Sequence, residues 1–384
     1  MKRWQVIGVG LLILLTGAGC KPAVAPTWVL PLAGPEYGAL MDAVLDGETI
    51  LAVGTTNHRH FPPYEGDVLI VRVNAAGEVI WERTWGGDGY EQAWAVSPTA
   101  GRDFLVFGET DSQGAGERDF FLMRIDSAGE TLWLKTYGGP FREWPFGMLP
   151  LANGDALLYG RTQAAADGPE DLYAVRVAEN GDVLWEYNVS RPASEIILDA
   201  LETNGGDLVL CASSDEDPLL IKLTAEGDTV WEVLHELPGW QFGSGIAPAA
   251  DGDFLVAGFR MVTDGRSHAD VWMARFSSNG EMRWETSFGR PGEDDYSHTL
   301  RRSSDGDYLI GGLGNGLPLF KVDDTGTVLW ESRLNDEAVH VAGTVVETEN
   351  GRIVVAAAKQ IEPGRSYDAL LLKLDRNGRL EPLP

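Results

Sequence analysis

The feature that most constrains this chain is an eight-residue motif with glycine at its fourth position and tryptophan at its end, which returns six times in one register. It reads NAAGEVIW to Trp81, DSAGETLW to Trp133, AENGDVLW to Trp185, TAEGDTVW to Trp231, SSNGEMRW to Trp284 and DDTGTVLW to Trp330. Successive tryptophans stand 52, 52, 46, 53 and 46 residues apart, a period that suits a unit of four short strands better than the shorter helical repeats. Within each period, apolar runs rich in Val, Ile, Leu and Phe are bounded by Gly, Asp and Asn, as in GRDFLVFG followed by DFFLMRIDSAGETLW. Such runs read as strands buried on both faces and joined by glycine turns.

A seventh copy is divided between the two ends of the chain. Near the C-terminus, DALLLKLDRNGRLEPLP carries the turn with Gly378, but Pro382 occupies the place of the tryptophan. The missing strand lies at the other end, where TWVLPLAG carries Trp28, 53 residues before Trp81. The expected fold is all-β: a seven-bladed β-propeller of four-stranded blades, closed where the strand at 27–32 pairs with the segment near 369–375. Residues 27–384 form a single domain on this reading, with 44% hydrophobic residues in the chain to fill its core. The repeated tryptophans are expected to pack between blades rather than to hold a cofactor.

The unit resembles the quinoprotein-type propeller repeat, whose blades end in an Asp, a turn Gly and a docking Trp, as at Asp126, Gly129 and Trp133. The Gly-to-Trp spacing agrees with that pattern, while the Asp-to-Gly turn is tighter. What the resemblance implies is a fold, not an activity. Quinoprotein dehydrogenases hold a quinone with calcium, commonly carry adjacent cysteines and usually have more repeats; this chain has no adjacent cysteines, and no cofactor is assigned. The Asp-box of sialidase-like propellers has shorter spacings and fits less well.

At the N-terminus, Lys2 and Arg3, the apolar run over 6–15 and the small residues Thr16, Gly17, Ala18 and Gly19 before Cys20 have the layout of a secretory signal. Small residues directly before a cysteine resemble the lipobox of bacterial lipoproteins, with Gly17 where that family usually has Leu. The resemblance implies that 1–19 are removed, that Cys20 is lipidated, and that a short linker through residue 26 holds the propeller to a membrane of the cell envelope. In anchor and architecture the chain is similar to the propeller lipoprotein of outer-membrane barrel-assembly machines. Losing two basic residues with the leader, from a chain of 30 basic and 58 acidic residues, leaves a formal charge of −30. Such a surface repels nucleic acid and anionic lipid headgroups, so neither is an expected partner. With Cys20 acylated, Cys211 has no disulfide partner, and its setting in LVLCAS reads as a buried thiol.

If the strands of a blade are lettered a to d outward from the axis, the a–b and c–d turns fall on one face and the b–c and d–a connections on the other. The first face has tight glycine turns, such as Asn279-Gly280, which leave little room for a site. The second carries long loops, including TTNHRHFPPYEG and GRPGEDDYSH, and is where a ligand is expected. Around its axial pit the d–a loops offer Tyr90, Glu91, Glu143, Trp144, Trp240, Asp294, Asp295, His298 and His340. Aromatic platforms beside carboxylates suit a peptide, a glycan or a cation. Short b–c connections at SSDEDP and GLGNGLP are expected to notch the rim.

His58 and His60 are spaced to share one side of an extended segment, but no Cys or carboxylate cluster flanks them, and no metal is assigned. Asp67, Asp119, Asp171, Asp270 and Asp368 open the c strands periodically, which marks them as turn or cap residues. The sequence holds no nucleophile elbow, phosphate-cradling glycine loop or His-Glu metal helix, and no catalytic residue is assigned. The expected function is a binding or scaffolding module at the cell envelope, with a protein or glycan ligand. The alternative is a propeller enzyme using the axial pit, either glycan-acting or a quinone-dependent oxidoreductase.

Overall fold

The computed structural model describes residues 27–32, 38–56, 66–163, 165, 168–215, 217–236, 239–263, 267–334, 339–362 and 366–380. The leader, Cys20 and the linker after it lie outside the described residues, as do His58, His60 and Pro382.

One N-terminal strand, β1 (Trp28–Leu32), precedes the first complete sheet. In that sheet β2 (Ala39–Asp46), β3 (Thr49–Thr55), β4 (Val68–Val73) and β5 (Val79–Trp85) pair antiparallel in chain order. The middle strands are buried along nearly their whole length, which is why they read as continuous apolar runs; β5 is mostly exposed and keeps its tryptophans half-covered. The same order recurs in β6–β9 within 91–137, β10–β13 within 143–189, β14–β17 within 195–234 and β18–β21 within 241–288.

The remaining strands form one sheet of eight. Its two parts are β22–β25 within 295–332, and β26 (Val339–Glu347), β27 (Ile353–Glu362) and β28 (Ser366–Leu374) with β1 outermost. β1 runs antiparallel to β28, with Trp28 opposite Lys373 and Leu32 opposite Ala369, so the divided repeat is reunited. The two parts join where the end of β23 (Tyr308–Asn315) pairs with β26, Leu313 opposite Val341 and Asn315 opposite Val339. The described residues thus make six sheets. The join also corrects the expected notch at GLGNGLP: the short connection frees the end of β23, whose backbone reaches across to the next first strand.

The core lies between sheets. Leu105, Phe107 and Phe120 of one sheet pack with Leu158, Tyr173 and Val175 of the next, and Leu40 and Val71 of the first sheet pack with Val354 and Leu371 of the last strands. The first strands touch in succession, from β2 to β6 (Glu91–Pro98) and β10 (Glu143–Pro150), through β14 (Glu195–Glu202), β18 (Gln241–Pro248) and β22 (Asp295–Arg302), to β26 and back to β2.

At the outer edge each repeated tryptophan stands over the turn glycine of the next repeat. A Cβ built on Gly129 would lie 2.9 Å from the Trp81 ring, one on Gly77 2.8 Å from Trp28, and one on Gly378 3.0 Å from Trp330. Glycine supplies both that room and the positive φ of the turn, 84° at Gly129. The indole of Trp28 donates to the carbonyl of Ala75 at 3.1 Å and that of Trp185 to Ala225 at 2.9 Å. A basic residue lies opposite the tryptophan on the third strand, as with Arg124 across from Trp133 and Arg176 across from Trp185. Each reaches an aspartate before the second strand, Arg124 to Asp103 at 3.1 Å and Arg176 to Asp155 at 2.8 Å. No helix among the described residues is long and apolar enough to cross a membrane.

Candidate functional site

The axis is shaped by an irregularity shared by all the first strands. Each carries a β-bulge where one residue drops out of register with the second strand, and a bulge re-aims the extra side chain. The displaced residues are Met41, Trp94, Phe146 and Leu198 in β2, β6, β10 and β14. In β18, β22 and β26 they are Ser244, His298 and Gly343. Every one of them lines the same axial pit, a cavity of about 700 Å³. Large apolar side chains therefore wall one side of the ring, and small or polar ones the other. Phe242 and Phe259 extend the wall toward the mouth, stacked at 5.5 Å, and Trp94 meets Phe146 at 5.5 Å.

Below the bulged ring the tunnel narrows to a space of about 80 Å³ bordered by Asp42, Asp199, Tyr159, Arg301 and Thr344. Asp199 is buried and fully engaged: it accepts from Tyr159 Oη at 3.0 Å, from the N–H of Ala200 at 2.9 Å and of Ile246 at 3.0 Å, and from Arg301 Nη1 at 3.2 Å. Asp42 plays the same part between β2 and β6, accepting from the N–H groups of Ala43 and Val96, each at 2.9 Å. Both aspartates thus satisfy the backbone just past the next strand's bulge. Burial pushes the Asp42 carboxyl up to about 6, against the lowering effect of those bonds and of Arg301. His298 shows an open ring surface to the tunnel, yet enclosure by protein lowers its pKa from the usual histidine value and keeps it neutral. A wider cavity of about 1070 Å³ opens beyond the neck, against the inner-strand ends and the turns after them.

The family described as outer membrane protein assembly factor BamB matches residues 65–312. The chain belongs to this PQQ-repeat family. No curated sequence matches the chain. Among solved structures it is similar to the Pan2 WD40 domain of Neurospora crassa, at 8% identity and TM-score 0.59, over 93% of this chain and 98% of that one. It is also similar to a protein from Lactobacillus plantarum (13% identity, TM-score 0.55, 87% and 98% covered). A third likeness is to YCF48 bound to D1 peptide (12% identity, TM-score 0.54, 94% and 97% covered). At these identities the likeness shows the fold, which is a β-propeller.

Against this BamB-family propeller, the residues expected around the pit divide sharply. Of those whose side chains are described, His298 alone lines the cavities. Glu91, Glu143 and Asp295 are the first residues of their strands and are buried between sheets. Glu91 accepts from the N–H of Gly87 and from Thr110 Oγ1, both at 2.9 Å; Glu143 accepts from Thr162 Oγ1 at 2.7 Å. Asp295 accepts from the N–H of Arg290 at 2.8 Å and pairs with Arg333. They fasten the d–a connections instead of facing a ligand. Tyr90 is buried too, its hydroxyl on Gln92 and its ring under Arg118 at 5.0 Å. Trp144 lies beneath Arg161 at 4.7 Å, and Asp294 accepts from the N–H of Ala269 at 3.0 Å. Trp240 is exposed and meets Phe259 edge-on at 6.0 Å, at the outer end of the aromatic wall. The side chain of His340 lies outside the described residues; its backbone is opposite Gly314.

The tight-turn face, expected to leave little room for a site, carries the wider cavity, bordered by the ends of the first strands and the turns after them. Asp119, among the periodic aspartates, is a cap, accepting from the N–H of Gly116 at 2.9 Å. Cys211 is buried, and burial pushes its thiol far up, so it stays protonated. The residues that shape the tunnel went unread in the sequence, although a signal for them exists. Gly54, Gly108, Gly160, Gly258 and Gly312 recur inside the second strands, and an isolated strand glycine marks a bulge or a close backbone approach. A Cβ on Gly108 would lie 1.9 Å from the carbonyl oxygen of Gln92, two residues before the bulged Trp94.

Proposed function

We propose that the chain is a seven-bladed, closed β-propeller over residues 27–384 that serves as a protein-binding scaffold, and that it engages an apolar peptide segment of its partner in the axial pit. Support for the blade count comes from the succession of first strands back to β2, the β1–β28 pairing and the Trp28 contact on Gly77. The peptide reading is carried by one observation, the bulge-built apolar pit. All seven bulged residues converge on one cavity, and its aromatic wall offers stacking and apolar contact with few polar groups to satisfy. A pit with this lining favours peptide side chains over a glycan, whose hydroxyls need many partners. In this reading Cys20 is acylated and tethers the ring at the cell envelope, as the signal-like leader suggests, and Cys20→Ser releases the protein from washed membranes.

A phage-displayed peptide library tests the site. Selected peptides are expected to be rich in apolar and aromatic residues and to bind Trp94→Ala roughly tenfold more weakly than the wild type, about 1.4 kcal/mol, with the fold retained. Selection of no peptide, or of peptides indifferent to Trp94→Ala and Phe146→Ala alike, rejects the pit as the binding site.

A further inference from the structure

We infer that the neck of the tunnel accepts the ammonium or guanidinium group of a partner peptide, a lysine or arginine side chain whose apolar neighbours occupy the pit. This inference rests on the reading of the pit as a peptide site, and it adds a charge requirement that the pit alone does not impose.

The pit and the neck are continuous, since the bulged residues border both spaces. Asp42 follows the bulged Met41 and Asp199 follows Leu198, so each carboxylate stands one residue, about 3.3 Å, below the apolar wall. A ligand group just beyond an apolar side chain therefore arrives at the carboxylates.

The charges there are unbalanced. The neck holds Asp42, Asp199 and one guanidinium, that of Arg301, while His298 is neutral. Arg301 is committed on Nη1 to Asp199 and to the carbonyl of Leu300, at 3.2 and 3.0 Å. Asp199 has its lone pairs taken by four donors. Asp42 is the carboxylate with capacity left: it is only half-buried, and its oxygens receive two backbone N–H groups and the Thr344 hydroxyl. Farther out, Glu202 and Glu347 stand in the wider cavity with Arg302, so the carboxylate excess continues to the second mouth. A narrow, protein-walled passage with an excess of one sign focuses its field, and a chain of formal charge −28 adds to it. An anion in the neck would face both aspartates, with Arg301 already engaged by Asp199. A cation completes the pairing of Asp42.

Three probes of equal length separate the possibilities on the intact protein: n-hexylammonium, n-hexanol and n-hexanoate, titrated calorimetrically. Hexylammonium is expected to bind about tenfold more tightly than hexanol, and hexanoate more weakly than either. Asp42→Asn, checked for a native melting transition, should bring hexylammonium to the level of hexanol and leave hexanol unchanged. Equal binding of hexylammonium and hexanol overturns the inference and leaves the apolar pit standing; so does tightest binding by hexanoate, which would put Arg301 in charge of the neck. Binding by none of the three overturns the pit reading and the inference together. The wild-type comparison decides even if the variant fails to fold.

Discussion

The outer ring of tryptophans and the inner ring of bulged residues are built from the same repeat, yet they obey opposite rules. The outer position is Trp in every copy, because each indole meets the same object, a positive-φ glycine turn of the next repeat. The inner position is Met, Trp, Phe, Leu, Ser, His and Gly in turn, because it meets a void and nothing in the packing dictates its shape. Uniformity marks where the propeller holds itself together. Variation on a uniform backbone device marks where it is free to be specific.

The comparison breaks first if the outer ring is not continuous. Deleting residues 27–32 removes Trp28 from over Gly77 and leaves β28 with an open edge in place of its partner. The expected result is a loss of at least about 4 kcal/mol, since several packed side chains go at once, with aggregation through the bare strand. An unchanged Tm and a monodisperse product would reduce β1 to a tether.

Next in size is the contrast between rings. Trp133 is half-buried against Gly181, so Trp133→Ala is expected to cost about 2–3 kcal/mol, less than a fully buried indole. Trp94→Ala, facing the pit, is expected to cost about 1 kcal/mol and to reduce ligand binding instead. Chemical denaturation of both checks this, and similar costs would erase the distinction between holding and binding positions.

The outer ring was legible in the sequence and the inner ring was not, for a physical reason. A contact that repeats with the same partner leaves the same residues at the same spacing, so Gly129, Trp133 and the divided copy at Trp28 and Gly378 could be read directly. The site depends instead on where one backbone irregularity turns a side chain, and its trace, at five of the seven bulges, is a glycine in the neighbouring strand, such as Gly108. Loop acids were the natural candidates because charged residues beside aromatic ones suggest a surface. Glu91, Glu143 and Asp295 instead carry out a structural task that needs a buried acceptor, capping the d–a connection, and sequence alone does not tell a buried acceptor from an exposed one. The pairing of β23 with β26 was illegible as well, since it is made by backbone groups that any sequence carries.

A smaller effect sharpens what the outer clasp contributes. Gly129 has φ 84° and an indole where its Cβ would stand, whereas Gly47 has φ 59° and nothing within 4 Å. Both substitutions to alanine pay for left-handed backbone, about 1 kcal/mol. Only Gly129→Ala also pushes on Trp81, so its cost is expected to exceed that of Gly47→Ala by about 1–2 kcal/mol. Equal Tm shifts for the two variants would mean that the glycine is required by the turn and not by the tryptophan.

The smallest expected effect belongs to the inner ring and is read by pH. Asp42 carries a carboxyl raised from 3.8 to about 6, with burial as the leading cause, while Arg301, Thr344 and the N–H groups of Val96 and Ala43 oppose the rise. Asp199, Tyr159 and His298 border the same neck. A carboxyl whose folded pKa lies above its unfolded one binds its proton more tightly when folded. Its contribution is therefore fully present below about pH 3.8 and is lost as pH rises through about 6, the reverse of a salt-bridged aspartate. Other acids, such as Asp305, are held low by Lys321 and give the opposite slope, so the whole-protein profile mixes the two. The difference between wild type and Asp42→Asn isolates the site. From pH 4 to pH 6 the wild type is expected to lose about 1 kcal/mol relative to the variant, a figure discounted because the carboxyl borders an open tunnel, with no further change above that window. A difference that stays flat, or a wild type that loses stability relative to the variant as pH falls, would mean that Arg301 balances Asp42, and the neck would then hold no surplus of negative charge.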